Sequence, residues 1–257
     1  MQLIKDLKQY REFLKSNVKK EIRGKYKGSF LGVLWSFLNP LLSVVVYAII
    51  FPYIMRMSMD HYLIYLITGI IPWTFFTMSI NVGMISVLVN ANIIKKVYFP
   101  RIILPISSVT SALVNFLISL VIVSIFVLFS GIGFSINLIY LPIIVIIQYV
   151  LMLGITFILS AIDLYFRDIE NIMLFILNML FYATPILYTP DIFPAKLRWV
   201  INLNPMAHLI NAYRDIFYYK VMPDFKILGI VFIVSLGLFF IGYKVFEKLQ
   251  KGFAEEV

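Results

Sequence analysis

Apolar residues occupy this chain in long unbroken blocks, separated by short polar connections. Six blocks approach or exceed the ~20 residues a helix needs to cross a hydrocarbon core of about 30 Å. They run over Val33–Ile54, Leu63–Asn81, Ile102–Phe129, Leu138–Ile162, Ile172–Tyr188 and Ile227–Tyr243. Continuous apolarity excludes a membrane barrel, whose strands alternate apolar and polar positions. The pattern predicts an all-α integral membrane protein of one domain, 1–257. A cytosolic segment 1–32 precedes six transmembrane helices within 33–243, and a cytosolic tail 244–257 follows.

Two segments depart from the block pattern. Leu3, Leu7, Tyr10, Leu14, Val18 and Ile22 recur at three- and four-residue steps while Lys5, Lys8, Arg11, Lys15 and Lys19 fill the other faces, which predicts an amphipathic helix lying on the membrane surface. Between the fifth and sixth blocks, Pro185, Pro190, Pro194, Pro205 and Pro223 interrupt the chain. There Asn204 can cap a helix that begins at Pro205, and Met206, Leu209, Ile210, Tyr213, Ile216 and Phe217 form one apolar face. Such a segment is too broken to span and too apolar to float, so a re-entrant or surface-lying pair of short outer helices is expected.

Composition places the chain in the membrane class without reference to any motif: 61% of residues are hydrophobic and 14% charged, against roughly 45–50% and about 25% in soluble domains. Cysteine is absent, which removes disulfides and thiolate metal sites. The first apolar run arrives after Gly32 and is too long for the core of a cleaved leader, so none is expected. With both termini cytosolic, the inner segments hold sixteen of the 22 basic residues, the bias that fixes orientation. The net charge of +9 therefore concerns anionic lipid rather than nucleic acid, because the charges sit at span ends.

Absent chemistry narrows the function. Gly24 and Gly28 lack the Gly-Lys-Ser/Thr that would complete a phosphate-binding loop, so energy must come from elsewhere. No ionisable residue lies near the middle of a span, unlike ion-coupled carriers; a secondary transporter or flippase is the weaker alternative. Asn81, Asn115, Gln148 and Asn178 are expected to make interhelical hydrogen bonds, and His61 and His208 to lie on the surface. A lipid-modifying enzyme would need clustered carboxylates or histidines, and only Asp163, Arg167, Asp168 and Glu170 come near that, with mixed charge.

The stretch from Arg23 to Pro40 joins a basic cluster to an apolar run through Trp35, so the cations stay in the headgroup layer while the indole sits at the interface. It resembles the first-span signature of permease subunits of polysaccharide-export ABC transporters, the family that moves O-antigen, capsule and teichoic acid chains. Gly69 to Trp73 and Asn204-Pro205 carry the resemblance further along the chain. Two inner connections do so as well: Lys95 to Arg101 matches a lysine-phenylalanine-proline-arginine pattern with Val97 and Tyr98 inserted, and Tyr165 to Asp168 matches an aromatic-arginine-aspartate pattern.

The resemblance implies an exporter permease of the bacterial cytoplasmic (inner) membrane, for O-antigen or alternatively teichoic acid or capsule, with no catalytic residue, metal or cofactor of its own. ATP and Mg would be used by a cytosolic ATPase subunit present in two copies. A second copy of the chain would complete a conduit on the two-fold axis, and the cargo would be a lipid-linked polysaccharide. Lys95, Lys96, Phe99, Arg101, Tyr165, Arg167, Asp168 and Glu170 are the expected ATPase-coupling residues, and Asn204, Pro205 and Tyr213 the expected outer gate. Because sugars stack on rings through their C–H faces, Trp35, Phe37, Tyr47, Phe51, Trp73, Phe181, Tyr182 and Tyr188 are the expected channel residues, with Tyr47, Phe51, Tyr182 and Tyr188 placed against the sugar.

Overall fold

The computed structural model describes residues 2–26, 28, 34–55, 59–192, 194, 196 and 198–253, and among these the chain is helical with no strand. Helices α1 (Gln2–Gln9) and α2 (Arg11–Tyr26) precede α3 (Trp35–Met55), which is followed by α4 (Tyr62–Met84). Two single-turn helices, α5 (Ser86–Val89) and α6 (Ala91–Ile94), lead into α7 (Ile103–Phe129) and α8 (Leu141–Asp163). Then come α9 (Asp168–Ala183), α10 (Arg198–Leu203), α11 (Pro205–Arg214) with a π-helical turn over Asp215–Tyr219, and α12 (Phe225–Leu249).

Four segments are long and apolar enough to cross a membrane: Tyr62–Met84, Ile103–Phe129, Ile136–Asp163 and Phe225–Gly252. A shorter apolar helix, Leu38–Tyr53, lies inside α3. The fifth expected span differs most. Its helix α9 has 16 residues, about 24 Å at 1.5 Å per residue, and stops at Ala183 rather than Tyr188. Pro185 is the cause, since the residue before a proline is pushed out of the helical region, and Thr184 is extended at ψ 133°. The next five residues, Thr184 to Tyr188, fold back into the protein and are buried.

Helix α4 is the axis of the bundle. Ile64, Tyr65, Leu66, Ile67, Phe75, Phe76 and Ile80 are all buried, with α7, α8, α3 and α11 packed around them. The α8–α12 pair is the most extensive contact and depends on two glycines. A Cβ at Gly154 would stand 2.6 Å from the Phe239 amide nitrogen, and one at Gly242 would strike the Gly154 carbonyl. Small residues are what let two membrane helices approach at backbone distance.

Where the sequence predicts one helix on the membrane surface, two helices pack Leu3, Leu7, Phe13 and Leu14 against the protein core and leave Lys5, Lys8, Lys15 and Lys19 exposed. Phe13 meets Phe99 at 4.7 Å between ring centroids, which ties α2 to the first inner turn.

Candidate functional site

A cleft opens between α3, α4, α7 and α9. Its two lobes, of about 440 and 460 Å³, share Asn39, Pro40, Thr74, Thr77 and Asn81 as common walls. The lobe toward α7 adds Trp35, Phe75, Asn115, Phe116 and Ser119. The lobe toward α9 adds Ser43, Tyr47, Trp73, Asn178, Phe181 and Tyr182. Among the described residues that line it, none is charged.

Rings form one wall. Phe181 sits 5.9 Å from Trp73, 6.3 Å from Tyr47 and 5.3 Å from Tyr182, while Phe51 packs edge-on to Tyr47 at 5.6 Å. Tyr182 is 66% exposed and is the ring most open to the cleft. Tyr188 is placed differently. It is buried, its hydroxyl donates to the Tyr182 carbonyl at 2.6 Å, and its own carbonyl accepts from Tyr65 at 2.8 Å. The Phe37 side chain lies outside the described residues.

Amides line the cleft among these rings, at Asn39, Asn81, Asn115 and Asn178, while Gln148 lies outside it. Gln148 makes the interhelical bonds expected of it, donating to Pro72 O at 2.9 Å and accepting from Tyr213 at 2.7 Å. The other three do not bridge helices. Asn115 and Asn178 donate to carbonyls of their own helices, Ser111 at 3.2 Å and Leu174 at 2.9 Å. The Oδ1 atoms of Asn81 and Asn115 are buried without a partner, although both residues line the cleft. Thr74 and Thr77 donate to carbonyls of α4, leaving oxygen lone pairs for whatever enters. Acceptors beside rings, with no fixed charge, suit a neutral polyhydroxylated chain: its hydroxyls donate, its C–H faces stack, and no ion pair holds it in place.

The proline-broken segment packs beside the cleft. Asn204 Oδ1 accepts the Met206 amide at 2.9 Å with Pro205 in the first helical position, while its Nδ2 donates to Thr184 Oγ1 at 2.8 Å. Tyr213 is fully buried on α11, edge-on to Phe116 at 5.9 Å. The next residue, Arg214, is one that the sequence reading did not nominate. It is 1% exposed and donates to the carbonyls of Pro185 at 2.5 Å and Ile186 at 2.7 Å. The available signal was its spacing, four residues after Ile210 and three before Phe217, which puts it on the apolar face.

At the opposite end the connections from α6 to α7 and from α8 to α9 converge on the end of α12. Arg101 donates to the Gln250 carbonyl and lies 5.8 Å from the Phe253 ring centroid. Tyr165 donates to the Leu249 carbonyl at 2.9 Å and also faces Phe253. Phe99 is buried, whereas Lys95, Lys96, Arg167 and Asp168 are exposed, with Tyr98 at 95% and Phe166 at 69% exposure; Glu170 is partly buried in the first turn of α9. The structure therefore divides these residues into an inward clasp and an outward patch that carries two rings among charges.

Long apolar helices around an uncharged cleft define a multi-pass membrane permease. The ABC-2 type transporter family matches residues 12–218, and the chain belongs to that family. It is similar to the O-antigen export system permease protein RfbA of Klebsiella pneumoniae, 37% identical over 92% of this chain and 91% of the relative. The Myxococcus xanthus RfbA is 34% identical over the full length of both chains. Polysialic acid transport protein KpsM of Escherichia coli is 23% identical over 90% of this chain and 91% of its own.

Proposed function

We propose that this chain is the membrane subunit of an ATP-driven exporter of a lipid-linked polysaccharide, with O-antigen as the best-supported cargo. The observation that carries the reading is the uncharged cleft in which the amides of Asn39, Asn81, Asn115 and Asn178 stand among the rings of Tyr47, Trp73, Phe181 and Tyr182. Weak, repeated contacts of this kind let a polymer slide, whereas a charged site would trap it. The names of the RfbA relatives favour O-antigen, and teichoic acid or capsule cargo belongs to the same reading.

The whole chain acts as one transmembrane domain of six crossings in the bacterial cytoplasmic membrane, with α3 and α9 as the two shorter ones and both termini cytosolic. Exposed apolar faces on these two helices, Leu42, Val46, Ile49 and Ile50 on one and Ile172, Phe175 and Met179 on the other, support a second copy that closes the conduit. The outward patch of Tyr98, Phe166, Arg167 and Asp168 receives a separate ATPase subunit, two per dimer, which binds ATP and Mg. The segment from Arg198 to Tyr219 is the outer gate.

Pairwise replacement of Tyr47 and Tyr182 by leucine keeps bulk and apolarity. Polymer at the cell surface should fall while assembly with the ATPase and ATP hydrolysis persist; undiminished export removes the stacking mechanism. Single cysteines at Ser16 and Lys251 should resist a membrane-impermeant thiol reagent in intact cells while one at Lys196 reacts, and labelling of either terminus from outside overturns the orientation.

A further inference from the structure

A third cavity, of about 420 Å³, lies under α2 and shares Met78 with the α7 lobe of the polymer cleft. Met78, Val82, Ile85 and Val89 give it an apolar floor. Its polar edge is unusual. Glu21 Oε1 accepts from Ser108 at 2.8 Å, but Oε2 is buried with no partner. Asn17, 7% exposed, has an Nδ2 that donates to nothing, and the Ser86 hydroxyl beside it is likewise unpaired. Leaving such groups unsatisfied destabilises the fold, most of all for a carboxylate.

An occupant that matches these atoms needs a cation with N–H bonds for Glu21, an acceptor for Asn17, and an apolar body. Lys20, at the rim with its ammonium 3.4 Å from Asn90 Oδ1, offers a second donor, and a positive one, to the acceptor. Residues four apart on one helix face stand about 6 Å apart, near the spacing between the ammonium and phosphate of an ethanolamine headgroup. Free phosphate brings no cation, a glycerol headgroup meets Glu21 with no charge, and choline has no N–H to donate.

We propose that the cavity beneath α2 binds one phosphatidylethanolamine from the leaflet on which this helix lies, with the ammonium on Glu21 Oε2, the phosphate between Asn17 and Lys20, and an acyl chain along Met78, Val82, Ile85 and Val89. Burial lifts the Glu21 carboxyl above the usual carboxylate range, and the Ser108 hydrogen bond, Lys20 and the nearby Ser107 hydroxyl only partly offset this. An ammonium beside it restores the charged form. The assignment needs α2 at the membrane surface and does not depend on the cargo of the cleft.

Native mass spectrometry of the full-length chain in detergent, with phosphatidylethanolamine, phosphatidylcholine and phosphatidylglycerol of identical acyl chains, tests it. The ethanolamine lipid should be retained roughly tenfold better than the other two, the scale of one charge-assisted hydrogen bond. Glu21→Gln and Asn17→Ala should each erase that preference. Gly24→Leu fills the rim of the cavity, where a Cβ meets nothing within 4 Å, and favours the helix; it should lose the lipid while melting no lower than the parent. Equal retention of the three lipids, no adduct with any of them, or undiminished ethanolamine lipid on Glu21→Gln and Gly24→Leu overturns the proposal.

Discussion

The guanidinium of Arg214 lies 3.5 Å above the ring of Tyr65, and the same tyrosine donates its hydroxyl to the Tyr188 carbonyl. One pair of side chains thus holds the outer helix α11, the axial helix α4 and the turn after α9. Tyr62 adds a bond to the Leu187 carbonyl at 2.7 Å. Gly69 makes room for the pair, since a Cβ there would come within 2.9 Å of the guanidinium.

Arg214→Ala should lower stability by about 2–4 kcal/mol, because two buried carbonyls lose their donors together. Arg214→Lys keeps the charge but not the planar fork and should fall between the two. Tyr65→Phe should cost about 1 kcal/mol, the hydroxyl bond alone. Thermal unfolding in detergent ranks the three, and a Lys variant as stable as the parent removes the bidentate argument.

Asn115 carries an unpaired buried oxygen beside the cleft. Replacing it with leucine removes an unsatisfied group of nearly the same volume, so the protein should melt at the same temperature or higher, by up to about 1 kcal/mol. Surface polymer should nonetheless decline, because a hydroxyl acceptor has gone from the path. A variant that exports normally returns Asn115 to a packing role.

The clasp and the outward patch respond differently to charge. Arg101→Glu sets a carboxylate against the carbonyl of Gln250 and beside the Phe253 ring, and should reduce the yield of folded protein. Asp168→Lys, on an exposed side chain, should leave yield and melting temperature unchanged while uncoupling ATP hydrolysis from export. Size-exclusion profiles and ATPase assays of the assembled complex separate the two outcomes. Equal behaviour of the variants dissolves the distinction between clasp and patch.

Burial, reinforced by the neighbouring Asp224 carboxylate, pushes the Asp215 carboxyl up to about 6. The unfolded value is about 3.9, so the folded chain takes up the proton first. The resulting stabilisation is fully present below pH ~4 and is lost as pH rises through ~6. Asp215→Asn stays neutral throughout and should exceed the parent by about 1 kcal/mol at pH 7.5, a value reduced for the half-exposed site. At pH 4 the two should melt together.

Helix α7 was legible almost to the residue, over Ile103–Phe129 against an expected Ile102–Phe129, because Gly131 at φ +80° ends an unbroken apolar run. The α9 boundary was harder to read, since the run of apolar residues continues past Ala183 while the backbone turns at Pro185. Hydropathy registers the first and not the second. The rings of the cleft could be nominated from their recurrence along two helices, yet only packing separates Tyr182, open to the cleft, from Tyr188, spent on a backbone carbonyl. The amides show the same limit: Gln148 finds partners on two other elements and Asn115 finds none beyond its own helix, a difference set by neighbours distant in sequence. Arg214 was missed because a cation in a proline-broken segment is ordinarily solvated.

Synthesis of the chain proceeds from the N-terminus, so both inner turns emerge from the ribosome long before Leu249, Gln250 and Phe253, the groups that Arg101 and Tyr165 grasp. Until the final helix is threaded into place, these two turns have no latch. A nascent product cut after Lys244 would retain its apolar segments and insert, but its inner face would stay unfastened and open to proteolysis. Completion of translation is thereby written into the geometry as the last step of maturation.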